Sequence, residues 1–415
     1  MTPEERAATP LLGRDQELTE LEARVGLGTE PRPAPVVLGG DAGVGKTRLL
    51  RELGARARGE GWRVLVGHCL DFGDSALPLL PFTEILGRLD HDARELVAPL
   101  VAHHPGLARL LPAGRVLTAP HATEEGDGLP GMALPGRRGP ARGVGAGTVD
   151  GDEGAVRAEL FDALHAVLEA LGQEGPVLLV VEDVHWADRS TRDLISFLLA
   201  RGFATPVSMV ISYRADDLHR RHPLRRALAE WGRMPSVDRM HLAPLGDADV
   251  RDLVRSVRPG LADPRAVEEI VRRAEGNAFF AEELVVAREL GEDALPTDLA
   301  DLLLVRLDRL PEDARTVVRA AACIGRRVSH AMLAEVVDLP ADELDLALRS
   351  AVEANVLLPV PDASYAFRHA LLGEAVYDDL LSGERARLHA ACARALREGR
   401  VQGAAAELAR HARAG

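Results

Sequence analysis

A glycine-rich segment that ends in a lysine and a threonine constrains this chain more than any other feature. Its residues are Gly40-Asp41-Ala42-Gly43-Val44-Gly45-Lys46-Thr47. The segment fits the pattern of a glycine, four residues of any type, and then Gly-Lys-Ser or Gly-Lys-Thr. A short apolar run at 35–38 predicts a buried strand before it, and the periodicity of 47–58 predicts a helix after it. A strand before and a helix after are the context in which this pattern forms a phosphate-binding loop.

The residue types of the segment fit a phosphate group. Glycines let the backbone curl so that successive N–H groups point at phosphate oxygens, and the following helix adds partial positive charge. Lys46 would reach the β- and γ-phosphates, and the Thr47 hydroxyl would ligate Mg²⁺. The residues predicted to bind ATP or ADP in this segment are Gly40, Gly43, Val44, Gly45, Lys46, Thr47 and Arg48.

Lys46 is the one lysine among the 50 lysine and arginine residues of the chain. Arginine serves wherever a cation only has to be soluble, but its guanidinium is a wide, flat fork. The lysine ammonium is a compact charge on a thin stem. In a chain that otherwise uses only arginine as its basic residue besides histidine, a single lysine indicates a position that needs the shape of the lysine side chain. A chance match of the motif is therefore improbable.

An acidic pair follows the most apolar of the predicted strands. Residues 177–181 are all apolar, as expected of a central parallel strand that is covered on both faces. Glu182 and Asp183 come directly after them. One carboxylate would hold Mg²⁺, and its neighbour would orient the attacking water, so both are predicted metal and catalytic residues. The alternative is that they cap a helix, which is common for acids after a strand.

The order of the two acids predicts slow hydrolysis. The longer acid, Glu182, comes first, so the shorter Asp183 stands in the position of the base. Its carboxylate would sit about one C–C bond farther from the water. Arg214 ends the next predicted strand, where it would sense the γ-phosphate. A simple capping role at the end of that strand remains the alternative for Arg214.

Strands alternate with helical patterns as far as about residue 245. The predicted strands are 35–38, 63–67, 177–181, 206–212 and 240–244. This alternation predicts an α/β P-loop NTPase core with a doubly wound parallel sheet over residues 1–245. Residues from about 115 to 155 interrupt the pattern. Within 126–154, 13 of 29 residues are Gly or Pro, which predicts a disordered insertion without chemistry.

Three further regions follow the predicted core. Residues 246–310 have helical patterns throughout and predict an all-α lid. Residues 311–383 show three helical patterns and then two short apolar runs, which is the order of a winged helix. Residues 384–415 predict the start of a repeat-like helical region, with one alanine-rich helix over 384–411. The third helix of the winged-helix region, 341–355, carries four acids against one arginine, which indicates a packing module that phosphates would repel.

Several segments occur in the order seen in STAND ATPases, and they most resemble the large ATP-binding regulators of the LuxR type. These segments are 12–18, 40–47, 181–188, 212–214, 276–284, 365–371 and 384–389. The resemblance implies an ATPase core, a helical lid, a winged helix, a helical-repeat sensor and a C-terminal helix-turn-helix that binds promoters. This chain ends where the sensor repeats would begin, so we expect either a truncated chain or a different output.

The resemblance also implies roles for residues outside the glycine-rich segment. Gly13 and Arg14 would lie on the adenine side of the nucleotide. Residues 276–280 would form a lid motif that closes on the base, although Ala278 stands where that motif usually has proline, which would stiffen the turn. His369 would approach the phosphates from the winged helix and report which nucleotide is bound.

Composition excludes several classes of function. The formal net charge is −14, from 64 acids and 50 bases, which opposes broad binding to nucleic acid or acidic membranes. The three cysteines are far apart in sequence and indicate neither a zinc site nor a disulfide framework. The chain has no apolar stretch of signal-peptide or membrane-span length. These features predict a cytoplasmic protein without a membrane partner.

The leading hypothesis is a nucleotide-operated switch with slow ATP hydrolysis in a transcriptional regulator. An unknown signal would favour nucleotide exchange and self-association, and DNA would be bound only through a C-terminal helix-turn-helix that this chain lacks. One alternative is an origin-recognition-like ATPase that binds DNA through its own winged helix, which the acidic third helix disfavours. Another is a P-loop kinase of a small molecule, for which we identify no acceptor-site residues.

Overall fold

The computed structural model describes most of the chain, as three consecutive parts followed by two helices. The described residues are 11–28, 34–70, 78–92, 94–103, 105–110, 149–261, 263–289, 295–401 and 405–414. Most of the predicted insertion, 115–148, lies outside them. Within the described ranges, no helix combines the length and the apolar character that crossing a bilayer requires.

Five parallel strands form the sheet of the first part. They are β1 (Val36–Gly40), β2 (Arg63–His68), β3 (Val177–Glu182), β4 (Val207–Arg214) and β5 (Asp238–Leu242). Their order across the sheet is β2-β3-β4-β1-β5, and every neighbouring pair is parallel. The predicted parallel α/β sheet is confirmed. Since ligands of such sheets bind beyond the carboxyl ends of the strands, the loops after β1, β3 and β4 meet where a ligand would bind.

Helices cover both faces of this sheet. One face carries α1 (Asp15–Val25) and α2 (Lys46–Gly59); the other carries α3 (Leu80–Asp92), α4 (Arg94–His103), a 3-10 helix (Pro105–Leu110), α5 (Val149–Glu174), α6 (Arg189–Arg201) and α7 (Leu224–Trp231). Along β3, Leu178 and Val180 pack on the first face, and Leu179 and Val181 on the second. Because side chains alternate along a strand, burial of both faces requires an unbroken apolar run.

One helix corrects the predicted extent of the insertion. Helix α5 begins at Val149, so residues 149–155 are helical and not part of an irregular segment. Several Gly and Pro residues precede them in the chain, and this composition extended the sequence prediction too far. The apolar repeat from residue 156 onwards was the only sequence signal for this helix.

The second part consists of four helices. They are α8 (Asp247–Val257), α9 (Pro264–Ala274), α10 (Ala278–Glu289) and α11 (Thr297–Asp308). The start of α9 shows why the chain turns here. Asp263 accepts a hydrogen bond of 3.0 Å from the backbone N–H of Arg265, and Pro264 occupies the first helical position. We call these four helices the lid.

The third part has four helices and a small antiparallel sheet among its described residues. Its elements are α12 (Glu312–Ile324), β6 (Arg327–Ser329), α13 (His330–Val336), α14 (Ala341–Glu353), β7 (Leu357–Val360), β8 (Ser364–Phe367) and α15 (Ala370–Asp379). The strand order is β6-β8-β7. We call this part the wing domain. Sequence patterns predicted α12, α13, α14 and the β7–β8 pair, but they missed α15 and β6. Strand β6 is only three residues long and has no periodicity to detect.

Two helices end the described chain where the sequence predicted one. They are α16 (Ser382–Arg397) and α17 (Ala405–Ala414). Gly399 has a φ of +66°, a left-handed conformation that glycine adopts readily and that stops a helix. Nδ1 of His389 and Nδ1 of His411 are 2.7 Å apart across the pair of helices, and both side chains are buried. The predicted domain boundaries at 245, 310 and 383 stay predictions.

A buried histidine lies at the carboxyl end of β3. His185 belongs to a 3-10 helix (Val184–Trp186) and is 4% exposed. The backbone N–H of Arg214 donates to its Nδ1 at 3.4 Å. Burial lowers the pKa of His185 to about 3, and the nearby charges of Arg214 and Lys46 act in the same direction. These effects outweigh the negative charge of Asp216, which acts in the opposite direction, so His185 is neutral at neutral pH.

Acid should therefore destabilise the wild-type protein more than a His185→Gln variant. In the unfolded chain the histidine binds a proton near pH 6.5, but His185 in the fold binds one only near pH 3. The unfolded state thus gains a proton first as the pH falls. The free energy of unfolding of the wild type should drop relative to the variant by about 1.4 kcal/mol per pH unit between about pH 6 and 4.

Urea denaturation across this pH range measures the difference. The matched control is His241→Gln, which replaces an exposed histidine of β5 and should keep the wild-type pH dependence. Parallel pH profiles for the wild type and His185→Gln would contradict the neutral state of His185.

Candidate functional site

The loop between β1 and α2 depends on glycine at three positions. Gly43 and Gly45 have φ angles of +78° and +103°, which L side chains rarely adopt. A Cβ at Gly43 would also come within 2.5 Å of the Asn277 side chain. At Gly40 a Cβ would lie 2.8 Å from the carbonyl oxygen of Leu242. The two later glycines therefore make the turn, and Gly40 allows β1 to pass close to β5.

The side chain of Lys46 lies against the inside of this loop. Lys46 is 7% exposed, and its Nζ donates to the carbonyl oxygens of Gly40 and Asp41, each at 2.8 Å. Burial lowers the pKa of Lys46, and the negative charge of Asp216 offsets this only in part. A partly desolvated cation gains more from an arriving anion than a hydrated one.

The two predicted acids differ in what they face. Thr47 Oγ1 donates to Glu182 Oε2 at 2.8 Å, and Glu182 is 4% exposed. Burial raises the pKa of Glu182, and the bond from Thr47 counters this in part. Asp183 has a φ of +59°, uncommon outside glycine, and its backbone N–H donates to Ser212 Oγ at 3.2 Å. Its Oδ1 lies 3.6 Å from Nε of Arg214.

Thr47 and Glu182 fit a magnesium ion that arrives with a phosphate ligand. They offer a hydroxyl and a carboxylate oxygen, which are ligands that Mg²⁺ prefers. Among the residues that the structure describes, no three His, Cys, Asp or Glu side chains come together as a complete metal site. Phosphate and water oxygens would therefore have to complete the coordination.

A cleft lies over the loop, between the core and the lid. Its polar lining is formed by the loop from 43 to 48, Asp183 and Arg214. Its apolar lining includes the leucines Leu11, Leu12, Leu245 and Leu253. This division of polar and apolar walls suits a ligand with a charged tail and a flat, uncharged ring system.

The structure gives Arg14 and Gly13 positions beside the loop. Arg14 is 3% exposed, and its Nη2 donates to the carbonyl oxygens of Val44 at 3.1 Å and Ala243 at 2.6 Å. Arg14 lines the cleft and also braces the loop backbone. A Cβ at Gly13 would lie 2.5 Å from the side chain of Asp249, so Gly13 packs against α8 of the lid.

The lid motif contacts the loop directly. Asn277 Nδ2 donates to the carbonyl oxygen of Ala42 at 2.8 Å, and the backbone N–H of Phe279 donates to that of Gly43 at 3.1 Å. Ala278 lines the cleft between them. The lid is thus hydrogen-bonded to the loop although proline is absent from position 278.

An ion pair closes the cleft on the side of α2. Arg48, a predicted nucleotide-binding residue, donates from Nη1 to Glu282 Oε1 of α10 at 2.9 Å. Glu282 is 6% exposed. Because a buried carboxylate needs a partner, this contact holds the lid against the helix that follows the loop.

Asp216 is a site residue that the sequence analysis missed. Its Oδ1 accepts from the backbone N–H of Ala42 at 2.9 Å, and Arg306 of α11 donates to its other oxygen. Arg306 also donates to Asp217 Oδ1 at 3.0 Å. Burial alone would raise the pKa of Asp216, but Arg306 and the Ala42 N–H outweigh it and hold the pKa below its usual value. Asp216 therefore links the loop to the lid as an ionised group.

The wing domain reaches the loop through Arg368. Its Nη2 donates to Asp41 Oδ1 at 2.8 Å and Oδ2 at 2.7 Å. The neighbouring His369 packs edge-on against Phe280, with ring centroids 5.5 Å apart, and burial lowers its pKa. His369 lines a second cleft together with Ala42 and Gly43. The sequence held one signal for Arg368. Asp41 is an acidic residue in a loop that binds anions, so its charge requires a cation from another part of the chain.

Comparisons with known proteins agree with this geometry. Residues 10–211 match the AAA ATPase domain family. An uncharacterized protein of Rhizobium meliloti (strain 1021) is 28% identical over an alignment of 404 residues, and the match covers 92% of this chain and 37% of that protein. The chain therefore spans little more than a third of the length of this curated relative.

Similar solved structures include ATPases of low sequence identity. A Walker-type ATPase of Pyrococcus abyssi has a TM-score of 0.52 and 13% identity, covering 88% of this chain and 96% of its own. A STAND protein with a tetratricopeptide repeat sensor from Pyrococcus horikoshii has a TM-score of 0.36 and 14% identity. The match covers 99% of this chain and 49% of that protein. The similarity to the Pyrococcus abyssi ATPase shows that the two proteins share a fold. The fold around the loop is that of a P-loop NTPase, and residues 10–211 match an AAA ATPase domain.

Proposed function

We propose that this chain is an ATP-binding switch module that hydrolyses ATP slowly. The observation that carries the proposal is the convergence of all three parts on one loop. Asn277 of the lid donates to Ala42, and Arg368 of the wing domain donates to Asp41. A ligand bound in the loop would therefore affect the lid and the wing domain together.

The chain's own residues account for the binding of each portion of the nucleotide. The loop amides and Lys46 hold the β- and γ-phosphates, and the leucines that line the cleft accept the adenine ring. Thr47 and Glu182 hold Mg²⁺, which neutralises phosphate charge when bound.

Hydrolysis is slow because the base is short and is engaged elsewhere. Asp183 has the position from which a carboxylate orients water and accepts its proton. Its side chain lies 3.6 Å from Arg214, and its left-handed backbone conformation fixes the direction in which it leaves the chain. A state that lasts for many seconds serves a switch better than rapid turnover.

The regulatory context rests on the resemblance to LuxR-type regulators. In that context an unknown signal favours exchange and self-association, and a separate helix-turn-helix binds DNA. The acidic side chains of α14 argue against DNA binding by the wing domain itself, because Asp342, Glu343 and Asp345 would face phosphates with like charge.

Replacement of the single lysine should abolish nucleotide binding. Lys46→Ala removes the ammonium group that reaches the terminal phosphates, and Lys46→Arg introduces a fork too wide for its place against Gly40 and Asp41. Both variants should bind a fluorescent ATP analogue at least about 100-fold more weakly, which is on the order of 3 kcal/mol. Fluorescence titration measures this.

The matched control is Arg226→Ala, which removes a cation exposed on α7 and should bind like the wild type. Circular dichroism would show that all variants fold. Wild-type affinity in folded Lys46→Ala would refute the site.

Loss of the proposed base should stop turnover and spare binding. Asp183→Asn keeps the size of the side chain, and Asn tolerates the left-handed backbone. We expect ATP hydrolysis to fall about 100-fold, with an ATP dissociation constant within about threefold of the wild type. Phosphate release at saturating ATP measures the first quantity, and titration measures the second. Undiminished turnover would show that another group accepts the proton.

A further inference from the structure

An acidic side chain stands in a loop that is built to bind an anion. Asp41 directly follows Gly40, and its carboxylate is 20% exposed. Lys46 Nζ donates to the backbone carbonyl of Asp41 at 2.8 Å. Because the lysine of such a loop reaches the β- and γ-phosphates, Asp41 lies at the end of the loop where the terminal phosphate binds.

The charge of Asp41 is balanced by a residue 327 positions away. Arg368 follows β8, and its Nη2 contacts both carboxylate oxygens within 2.8 Å. The backbone N–H of Arg368 donates to the carbonyl oxygen of Val356 at 3.1 Å, which anchors it to the wing domain. The guanidinium is therefore in place only when the wing domain is docked on the loop.

The second carboxylate at this end of the loop is compensated separately. Asp216 has a fully buried side chain, accepts from the backbone N–H of Ala42 and is paired with Arg306 of the lid. Asp41 also raises the pKa of Arg306, but less than Asp216 and Asp217 do, so Arg306 mainly compensates those two carboxylates. The charge at the terminal-phosphate end depends on whether Arg368 is present.

We propose that Asp41 and Arg368 set the preference of the loop between a nucleoside triphosphate and a diphosphate. The inference rests on the proposed nucleotide binding. A triphosphate places one more anionic group beside Asp41 than a diphosphate does. Without Arg368 the carboxylate repels that group; without the carboxylate, Arg368 attracts it. The docked wing domain thereby favours the triphosphate.

Two single variants should change this preference in opposite directions. The measured quantity is the dissociation constant of ADP divided by that of adenylyl imidodiphosphate, a triphosphate analogue that resists hydrolysis, with Mg²⁺ present. Arg368→Gln should lower this ratio about tenfold, and Asp41→Asn should raise it by a similar factor. The double variant should return close to the wild-type ratio. Arg368→Lys keeps the charge and should also stay close to the wild type.

The matched control removes another ion pair that joins the lid to the wing domain. Arg273 of α9 donates to Glu374 of α15 at 2.6 Å, away from the loop. Arg273→Gln should leave the ratio unchanged, because the ion pair between Arg368 and Asp41, and with it the charge beside the phosphates, stays as in the wild type. Circular dichroism of each variant checks that it folds.

The outcomes separate this inference from the function on which it rests. If the wild type binds both nucleotides but Arg368→Gln and Asp41→Asn shift the ratio in the same direction, or not at all, the inference is overturned and the proposed function stands. An equal shift in Arg273→Gln overturns it in the same way. If the wild type binds neither nucleotide, both proposals fail.

Discussion

The curved backbone of the phosphate loop is held by donors from distant parts of the chain. Arg14 donates to the carbonyl of Val44, and Asn277 donates to that of Ala42. A turn rich in glycine has few side chains of its own to fix its shape, and backbone groups removed from water need partners. The shape of the binding loop is therefore a property of the assembled core and lid.

The parts of the site that are contiguous in sequence could be predicted from sequence. The glycine-rich loop carries its chemistry in eight consecutive residues, and the order of Glu182 and Asp183 after an all-apolar run identifies the end of a central strand. The same reasoning predicted the parallel sheet, since burial on both faces leaves an unbroken apolar run such as that of β3. Each of these signals is local, so one sequence suffices to detect it.

Residues that act through distant contacts could not be predicted in this way. Asp216 and Arg368 look like ordinary surface charges in the sequence, and only the fold brings them to the loop. Arg368 and His369 are adjacent, yet the imidazole of His369 packs on Phe280 while the guanidinium of Arg368 reaches Asp41. Which of two neighbours points at a site depends on backbone direction, and residue type does not encode that.

The contacts between lid and loop have a consequence for how quickly a nucleotide would leave. Arg48 is tied to Glu282, and Phe279 is hydrogen-bonded to Gly43, so the lid helix and the loop close the cleft from both sides. Departure of a bound nucleotide would require these bonds to break first. Its residence time would then be governed by the opening of a gate and not by the strength of the phosphate contacts alone.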